Sequence, residues 1–135
     1  MSERDDAELL AQIARGDDPA AVRAAQAELY RRHVRYLYGA LSKQRDKLLS
    51  LAGLSIEDVV QDTFARAFDR AASFKAAPEL DPDRARRRTR AWLGRIAQNL
   101  IADGFRRFRE VSASHYLEDA FADATVPAPD DDAPA

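Results

Sequence analysis

The segment RAWLGRIAQNLIADGFRRFR, residues 90–109, decides the fold because its periodicity is strongly helical. At about 100° per residue, its apolar side chains share one broad face of a helix and its polar side chains share the opposite face. We therefore predict an amphipathic helix whose apolar face packs on a core. The apolar face carries Leu93, Ile96, Ala97, Leu100, Ile101, Phe105 and Phe108, and the polar face carries Arg95, Gln98, Asn99, Arg106 and Arg109.

Asn99 lies in the middle of this helix although asparagine is a poor helix former. The periodicity places it on the outer face between Arg95 and Arg106, with Trp92 at the border of the two faces. Arginine binds phosphates, an amide binds base edges, and an aromatic ring stacks on bases. This face therefore indicates contact with DNA or RNA. The alternative is a charged face that contacts only solvent.

The rest of the chain predicts three further helices and no strand. The first covers DAELLAQIAR and ends at Gly16, and the second begins after Asp18, an N-cap followed by proline. The second helix either continues to Gly53 or is interrupted at SKQRDK, and the third begins at Ser55. Their apolar stripes are Val22, Leu29, Tyr30, Val34, Leu37, Tyr38 and Leu41, and then Ile56, Val59, Val60, Phe64, Ala67 and Phe68.

Two prolines interrupt the helical pattern before the fourth helix. Residues 73–80 are predicted to form a loop, and Asp81 with Pro82 begins a helix that ends near Arg109. We predict an all-α bundle of four helices over residues 1–111. Residues 112–135 form an acidic tail, disordered by composition apart from a possible short helix in SHYLEDAFAD.

Charge is distributed unevenly along a chain of 135 residues whose net charge is only −2. Residues 84–109 contain nine arginines and one acid, whereas residues 117–135 contain six acids and neither lysine nor arginine. A basic helix followed by an acidic tail indicates a polyanionic partner. The acidic start does not have the layout of a signal peptide and no apolar run approaches about 18 residues, so we expect a cytoplasmic protein without membrane contact.

Polar side chains also cluster in the first turns of the third helix, where acids stabilise a helix through its dipole: Glu57, Asp58, Gln61 and Asp62. A carboxylate metal site in a bundle needs Glu-x-x-His pairs, which this chain lacks. His33 and His115 stand alone and are expected at the surface or at its border. With no cysteine, no Ser-His-Asp order and no glycine-rich phosphate loop, we expect no metal, no cofactor and no enzymatic activity.

Three segments, in order, resemble bacterial sigma factors of the sigma-70 family. LYRRHVRYLYGAL resembles an early helix of their region 2, and IEDVVQDTFARAFDRAASF resembles their D-L-V-Q-E-x-F-x-x-A-x segment. RAWLGRIAQNLIADGFRR is similar to F-R-A-W-L-x-R-I-A-x-N-x-x-x-D-x-x-R-R, in the style of the extracytoplasmic-function (ECF) group. The resemblance covers roughly residues 8–109 and implies a region 2 domain that acts in transcription initiation.

The resemblance implies two partners. In the family, the D-L-V-Q-E helix binds the clamp helices of the largest β-type subunit of core RNA polymerase. Here Asp58, Gln61 and Asp62 match the polar positions of that contact, and Phe64 and Phe68 stand near its apolar part. The W-L-x-R-I-A-x-N helix and the loop before it bind and melt the promoter −10 element, holding a flipped non-template base. The implied DNA-binding residues are Phe74, Lys75, Arg88, Arg90, Trp92, Arg95, Asn99 and Arg106.

The chain departs from the family pattern in three ways. The loop at residues 73–83 is long and contains prolines, and Thr89 replaces an aromatic residue. The chain also ends where a linker to region 4, the −35-reading domain, is expected. It is then a truncated sigma factor, a split one that needs a separate −35-reading partner, or an adaptor or decoy that binds polymerase or an anti-sigma factor without reading DNA. A further hypothesis is that the chain is unrelated to sigma factors and is a basic helical bundle that binds RNA.

Overall fold

Helices joined by short connections make up the part of the chain that the structure describes. This computed structural model describes residues 4–74 and 81–123, with side chains described as far as residue 111. The helices are α1 (Asp6–Arg15), α2 (Pro19–Ser42), α3 (Arg45–Ala52), α4 (Ile56–Asp69) and α5 (Pro82–Asp123), and a 3-10 turn (Ala71–Ser73) follows α4. The described residues contain no strand, so the predicted all-α fold is confirmed.

Capping residues in the sequence set most of the helix ends. The side chains of Asp5, Asp18 and Ser55 accept hydrogen bonds from backbone N–H groups in the first turns of α1, α2 and α4. Gly16 and Gly53 end α1 and α3 with φ of 64° and 63°, a left-handed conformation that favours glycine. These predicted boundaries are confirmed. They could be predicted from the sequence because caps depend on neighbouring residues only.

The predicted second helix is interrupted at SKQRDK, which is one of the two alternatives that the sequence left open. A turn at Lys43 and Gln44 separates α2 from α3, so the described residues form five α-helices where four were expected. The reason is that residues 42–47 are all exposed, and no apolar side chain among them holds a continuous helix against the core. Gln44 N–H donates to the carbonyl of Leu41 and closes the turn.

Helix α5 is longer than the predicted fourth helix, since it continues past Arg109 to Asp123 and includes the possible short helix of the tail. Residues 124–135 of the predicted tail and residues 75–80 of the predicted loop lie outside the described residues. No helix of the described part is both long enough and apolar enough to span a membrane.

Two clusters of buried side chains hold the helices together. The larger lies between α2, α3, α4 and α5, and the smaller joins α1 to α2 and the 3-10 turn. Leu93, a fully buried residue of α5, belongs to the larger cluster, while Phe68 and Trp92 pack against both. The predicted core face of α5 is confirmed except at Phe108, which is 39% exposed. Phe108 instead covers Gly53, where the end of α3 meets α5.

Candidate functional site

The outer face of α5 presents the polar side chains that its periodicity predicts. Arg95, Gln98, Asn99 and Arg106 are exposed. Arg106 pairs with Asp103 one turn earlier on the same helix. Within the described part of the chain, the Asn99 amide makes no hydrogen bond. Both amide atoms are therefore available to an external donor or acceptor, as contact with a base edge requires.

An aromatic pair borders this face. Trp92 is half-buried, and its ring meets the ring of Phe74 edge to face, with centroids 5.1 Å apart and planes at 69°. Phe74 directly follows the 3-10 turn, which places it against α5. Because Trp92 also packs against both core clusters, its ring is held rigidly. Lys75, the predicted neighbour of Phe74, lies outside the described residues.

Arg90 points its guanidinium toward α2 and is held by two contacts. Its Nε donates to Nδ1 of His33 at 3.3 Å, and its guanidinium carbon lies 4.5 Å from the ring centroid of Tyr36. Arg88, two residues earlier, is half-buried near the start of the helix. The family resemblance predicted Arg90 as a DNA-binding residue, and the structure places it at the border of the core with one side ordered by protein contacts.

His33 is buried, so the prediction that it lies at the surface or its border is wrong. It is 1% exposed, and its Nε2 lies 2.8 Å from Oδ2 of Asp6 on α1. Both ring nitrogens have partners, which is what makes its burial tolerable. One signal was present in the sequence, since Leu29, His33 and Leu37 recur every fourth residue on the inner face of α2. The partners themselves, 27 and 57 residues away, have no sequence signal.

Asp6 is a nearly buried carboxylate in a polar network between α1, α2 and α5. Burial raises its pKa, but hydrogen bonding and charge from His33, with smaller contributions from Thr89 and Arg32, lower the pKa overall. Arg32 binds Asp6 at 3.1 Å and Glu28 at 2.7 Å. Hydrogen bonds from Arg31 and Arg32 lower the pKa of Glu28 to about 2.

Thr89 occupies the position where the family pattern has an aromatic residue. It is fully buried, and its hydroxyl donates to the carbonyl of Ala85 at 3.2 Å. The Thr89 side chain also contributes to lowering the pKa of Asp6, so this position belongs to the polar network around Asp6 and lies away from the exposed face of α5. At this position the chain therefore buries a small polar residue whose hydroxyl is satisfied.

A cleft of about 680 Å³ opens beside this network, between the start of α1, the middle of α2 and the start of α5. Its charged lining is mainly cationic: Arg4, Arg31, Arg32, Arg86 and Arg90 face Asp5 and Asp6. Sequence reasoning missed this cleft because its arginines come from three separate segments. Among the described residues, no three His, Cys, Asp or Glu side chains form a group that could hold a metal ion.

Helix α4 presents acidic and polar side chains to the outside and an aromatic side chain to the core. Asp58, Gln61 and Asp62 are exposed, and we call these three residues the acidic surface of α4. Phe64 is 2% exposed and packs on the ring of Tyr30 at a centroid distance of 4.9 Å. Phe68 is half-buried. The structure therefore leaves the three polar side chains accessible to a partner and places Phe64 in the core beneath them.

A comparison with protein families matches the model of the Sigma-70 region 2 family to residues 29–111 of the chain. The match runs from the middle of α2 to residue 111 of α5 and includes the acidic surface of α4, Trp92 and Asn99. Helix α1, which carries Asp6, precedes it. No curated protein and no solved structure matches the chain significantly.

Proposed function

The chain belongs to the sigma-70 region 2 family, and on this premise we propose that it binds core RNA polymerase and the promoter −10 element during transcription initiation. We assign it to the ECF type because of the segment that contains Trp92 and Asn99. In this proposal the chain acts in the cytoplasm as a transcription factor without a catalytic centre, and polymerase and DNA are its partners.

The observation that carries the DNA part is the exposed, unbonded amide of Asn99 on a basic helix face beside a fixed aromatic pair. Asn99 reads a base of the non-template strand, and Arg95 and Arg106 hold the strand by its phosphates. The Trp92–Phe74 pair supplies a stacking surface. Stacking contributes about 1–3 kcal/mol per base, which offsets the few kcal/mol needed to extrude one.

The acidic surface of α4 is the proposed polymerase contact. Asp58, Gln61 and Asp62 bind the clamp helices of the β-type subunit, and an acidic surface there does not compete for DNA. Phe64 supports the helix from the core and Phe68 forms the edge of the contact. A −35-reading partner binds elsewhere on the chain or polymerase, and an anti-sigma factor acts by covering either surface.

The test is selection of single strands by the complex of the full chain with core polymerase. The complex is incubated with a random-sequence single-stranded DNA pool, and bound strands are sequenced. We expect a short motif to be enriched over the pool bound by polymerase alone. Polymerase binding without any enriched motif would establish the interaction-only adaptor instead, and equal enrichment of RNA and DNA pools without polymerase would favour an RNA-binding bundle.

A further inference from the structure

Helix α1 supplies half of the smaller core cluster, against which the aromatic pair of Phe74 and Trp92 packs. Both rings contact this cluster, and of the two clusters that the described residues form, Phe74 packs only against the smaller. Its buried residues come from α1, α2 and the 3-10 turn: Leu9, Leu10, Ile13, Ala25, Leu29 and Ala71. The apolar residues of α1 therefore belong to the support of the proposed stacking surface.

The 3-10 turn that carries Phe74 depends on α1 for its place. Helix α1 packs against this turn, whose Ala71 is buried. Phe74 closes the turn, since its N–H donates to the carbonyl of Ala71 at 3.2 Å. A turn of three residues has little stability of its own, because most helical stability in proteins comes from tertiary packing. Contact with α1 therefore determines where the backbone at Phe74 lies, and with it the position of the ring.

A polar network anchors α1 to α2 and α5. Asp6, in the first turn of α1, accepts a hydrogen bond from Arg32 at 3.1 Å, and its Oδ2 lies 2.8 Å from Nε2 of His33. The side chain of Thr89 on α5 also interacts with this carboxylate. Thr89 and Trp92 are three residues apart, which makes them neighbours on the surface of α5. The network thus fixes α1 next to the turn of α5 that carries Trp92.

We propose that α1 is a positioning element for strand binding, and that Leu10 and Ile13 hold the Phe74–Trp92 pair in the geometry that stacks on a base. The inference rests on the proposed function, in which this pair supplies the stacking surface. Leu10 and Ile13 are buried and do not touch the strand themselves. They fix the rings before the strand binds, because each side chain that must be ordered on binding lowers an affinity by about two- to tenfold.

Trp92 is the only tryptophan of the chain, so its fluorescence reports the aromatic pair directly. The first experiment measures acrylamide quenching of Trp92 in the full chain without DNA, for Ile13→Ala and for the matched control Ile101→Ala. Ile101 is also buried, but it belongs to the larger cluster and lies roughly 14 Å along α5 from Trp92. We expect Ile13→Ala to raise the quenching constant and Ile101→Ala to leave it at the wild-type value.

Stability is controlled in the same comparison. Both alanine variants remove the same group from a buried site, so thermal melts should show similar losses. Where either variant does not fold, Ile13→Val and Ile101→Val repeat the comparison, because this smaller change costs less stability. Quenching is measured well below every melting midpoint, so that a difference between the variants reports the packing of Trp92 and not the unfolded fraction.

A double-mutant cycle with Phe74 links this packing to strand binding. Affinity for a labelled single strand carrying the enriched motif is measured with the full chain and core polymerase. We expect Ile13→Ala to lower this affinity by about two- to tenfold, with an unchanged salt slope because no phosphate contact is lost. In the Phe74→Ala background, Ile13→Ala should have a much smaller effect, because α1 acts through the ring. Fully additive losses would overturn the proposal.

The two measurements separate failure of this role from failure of the proposed function. If the wild-type complex binds no single strand, the proposed function fails and the role of α1 in strand binding fails with it. Strand binding by the wild type, together with equal quenching in Ile13→Ala and Ile101→Ala, would leave the proposed function intact and overturn the role of α1 alone.

Discussion

Replacing Phe64 by alanine is expected to destabilise the domain strongly, and any loss of polymerase binding should follow from that loss of stability. Phe64 is 2% exposed and packs edge to face on Tyr30. Truncation of such a core phenylalanine costs about 3–5 kcal/mol, against a total stability of about 5–15 kcal/mol. Each kcal/mol lowers the melting temperature of a domain of this size by about 4–8 °C, so the midpoint should fall by roughly 12–40 °C.

The assay combines thermal melts by circular dichroism with capture of core polymerase. Phe64→Leu conserves most of the volume and costs less than about 1.5 kcal/mol, so it should remain folded and bind polymerase. Asp58→Arg with Asp62→Arg should abolish capture while lowering stability by at most about 2 kcal/mol through the helix dipole. The matched control, Asp46→Arg with Asp69→Arg, changes exposed acids to the same net charge and should bind normally.

Two outcomes would refute this assignment of roles. A Phe64→Ala protein that melts within a few degrees of the wild type but does not bind polymerase would place Phe64 in the contact itself. Equal loss of capture in the control variant would show that total charge, and not the acidic surface of α4, determines docking.

Three further predictions concern stability. Gly94→Ala should stabilise the chain by about 0.4–1 kcal/mol in denaturant unfolding, because a Cβ there meets nothing within 4 Å. Gly104→Ala should not show this gain, because its Cβ would lie 2.5 Å from Leu54 Cδ1. Equal gains in the two variants would contradict the packing around Gly104. Because folding lowers the pKa of Asp6, its carboxylate stabilises the folded state above its ordinary pKa of 3.8, and this stability is lost as pH falls through the folded pKa. The melting-temperature difference between wild type and Asp6→Asn should therefore be constant at neutral pH and shrink below pH 3.8. A constant difference at every pH would contradict this role of Asp6. Asn99→Ala should melt at or above the wild-type temperature because alanine is the better helix former, and destabilisation would indicate a structural role.

The sequence predicted those features that depend on neighbouring residues. The caps at Asp18 and Ser55 are local chemistry, and the inner face of α5 and the exposure of Asn99 follow from helical periodicity. Phe64 belongs to the predicted apolar stripe of its helix, and its burial agrees with that periodicity. The family resemblance added a role for Phe64 in binding polymerase, and because the Phe64 ring is buried it can only support that contact from the core.

Features that depend on distant contacts could not be predicted in this way. The burial of His33 requires Asp6 and Arg90, which only the packing of α1 and α5 on α2 brings together. The role of Thr89 within the same network and the cationic cleft arise from that packing too. The end of α2 could be predicted only in part, because the sequence suggested a break at SKQRDK but was also compatible with a continuous helix.

Base reading by Asn99 is tested most directly by the effect of Asn99→Ala on strand selection by the chain–polymerase complex. We expect the affinity for the enriched motif to fall toward that for scrambled strands, while scrambled strands bind as before. Arg106→Ala, the control on the same helix face, should weaken both kinds of strand about equally. An Asn99→Ala complex that keeps the full wild-type preference, or loses affinity equally for every strand, would contradict base reading by Asn99.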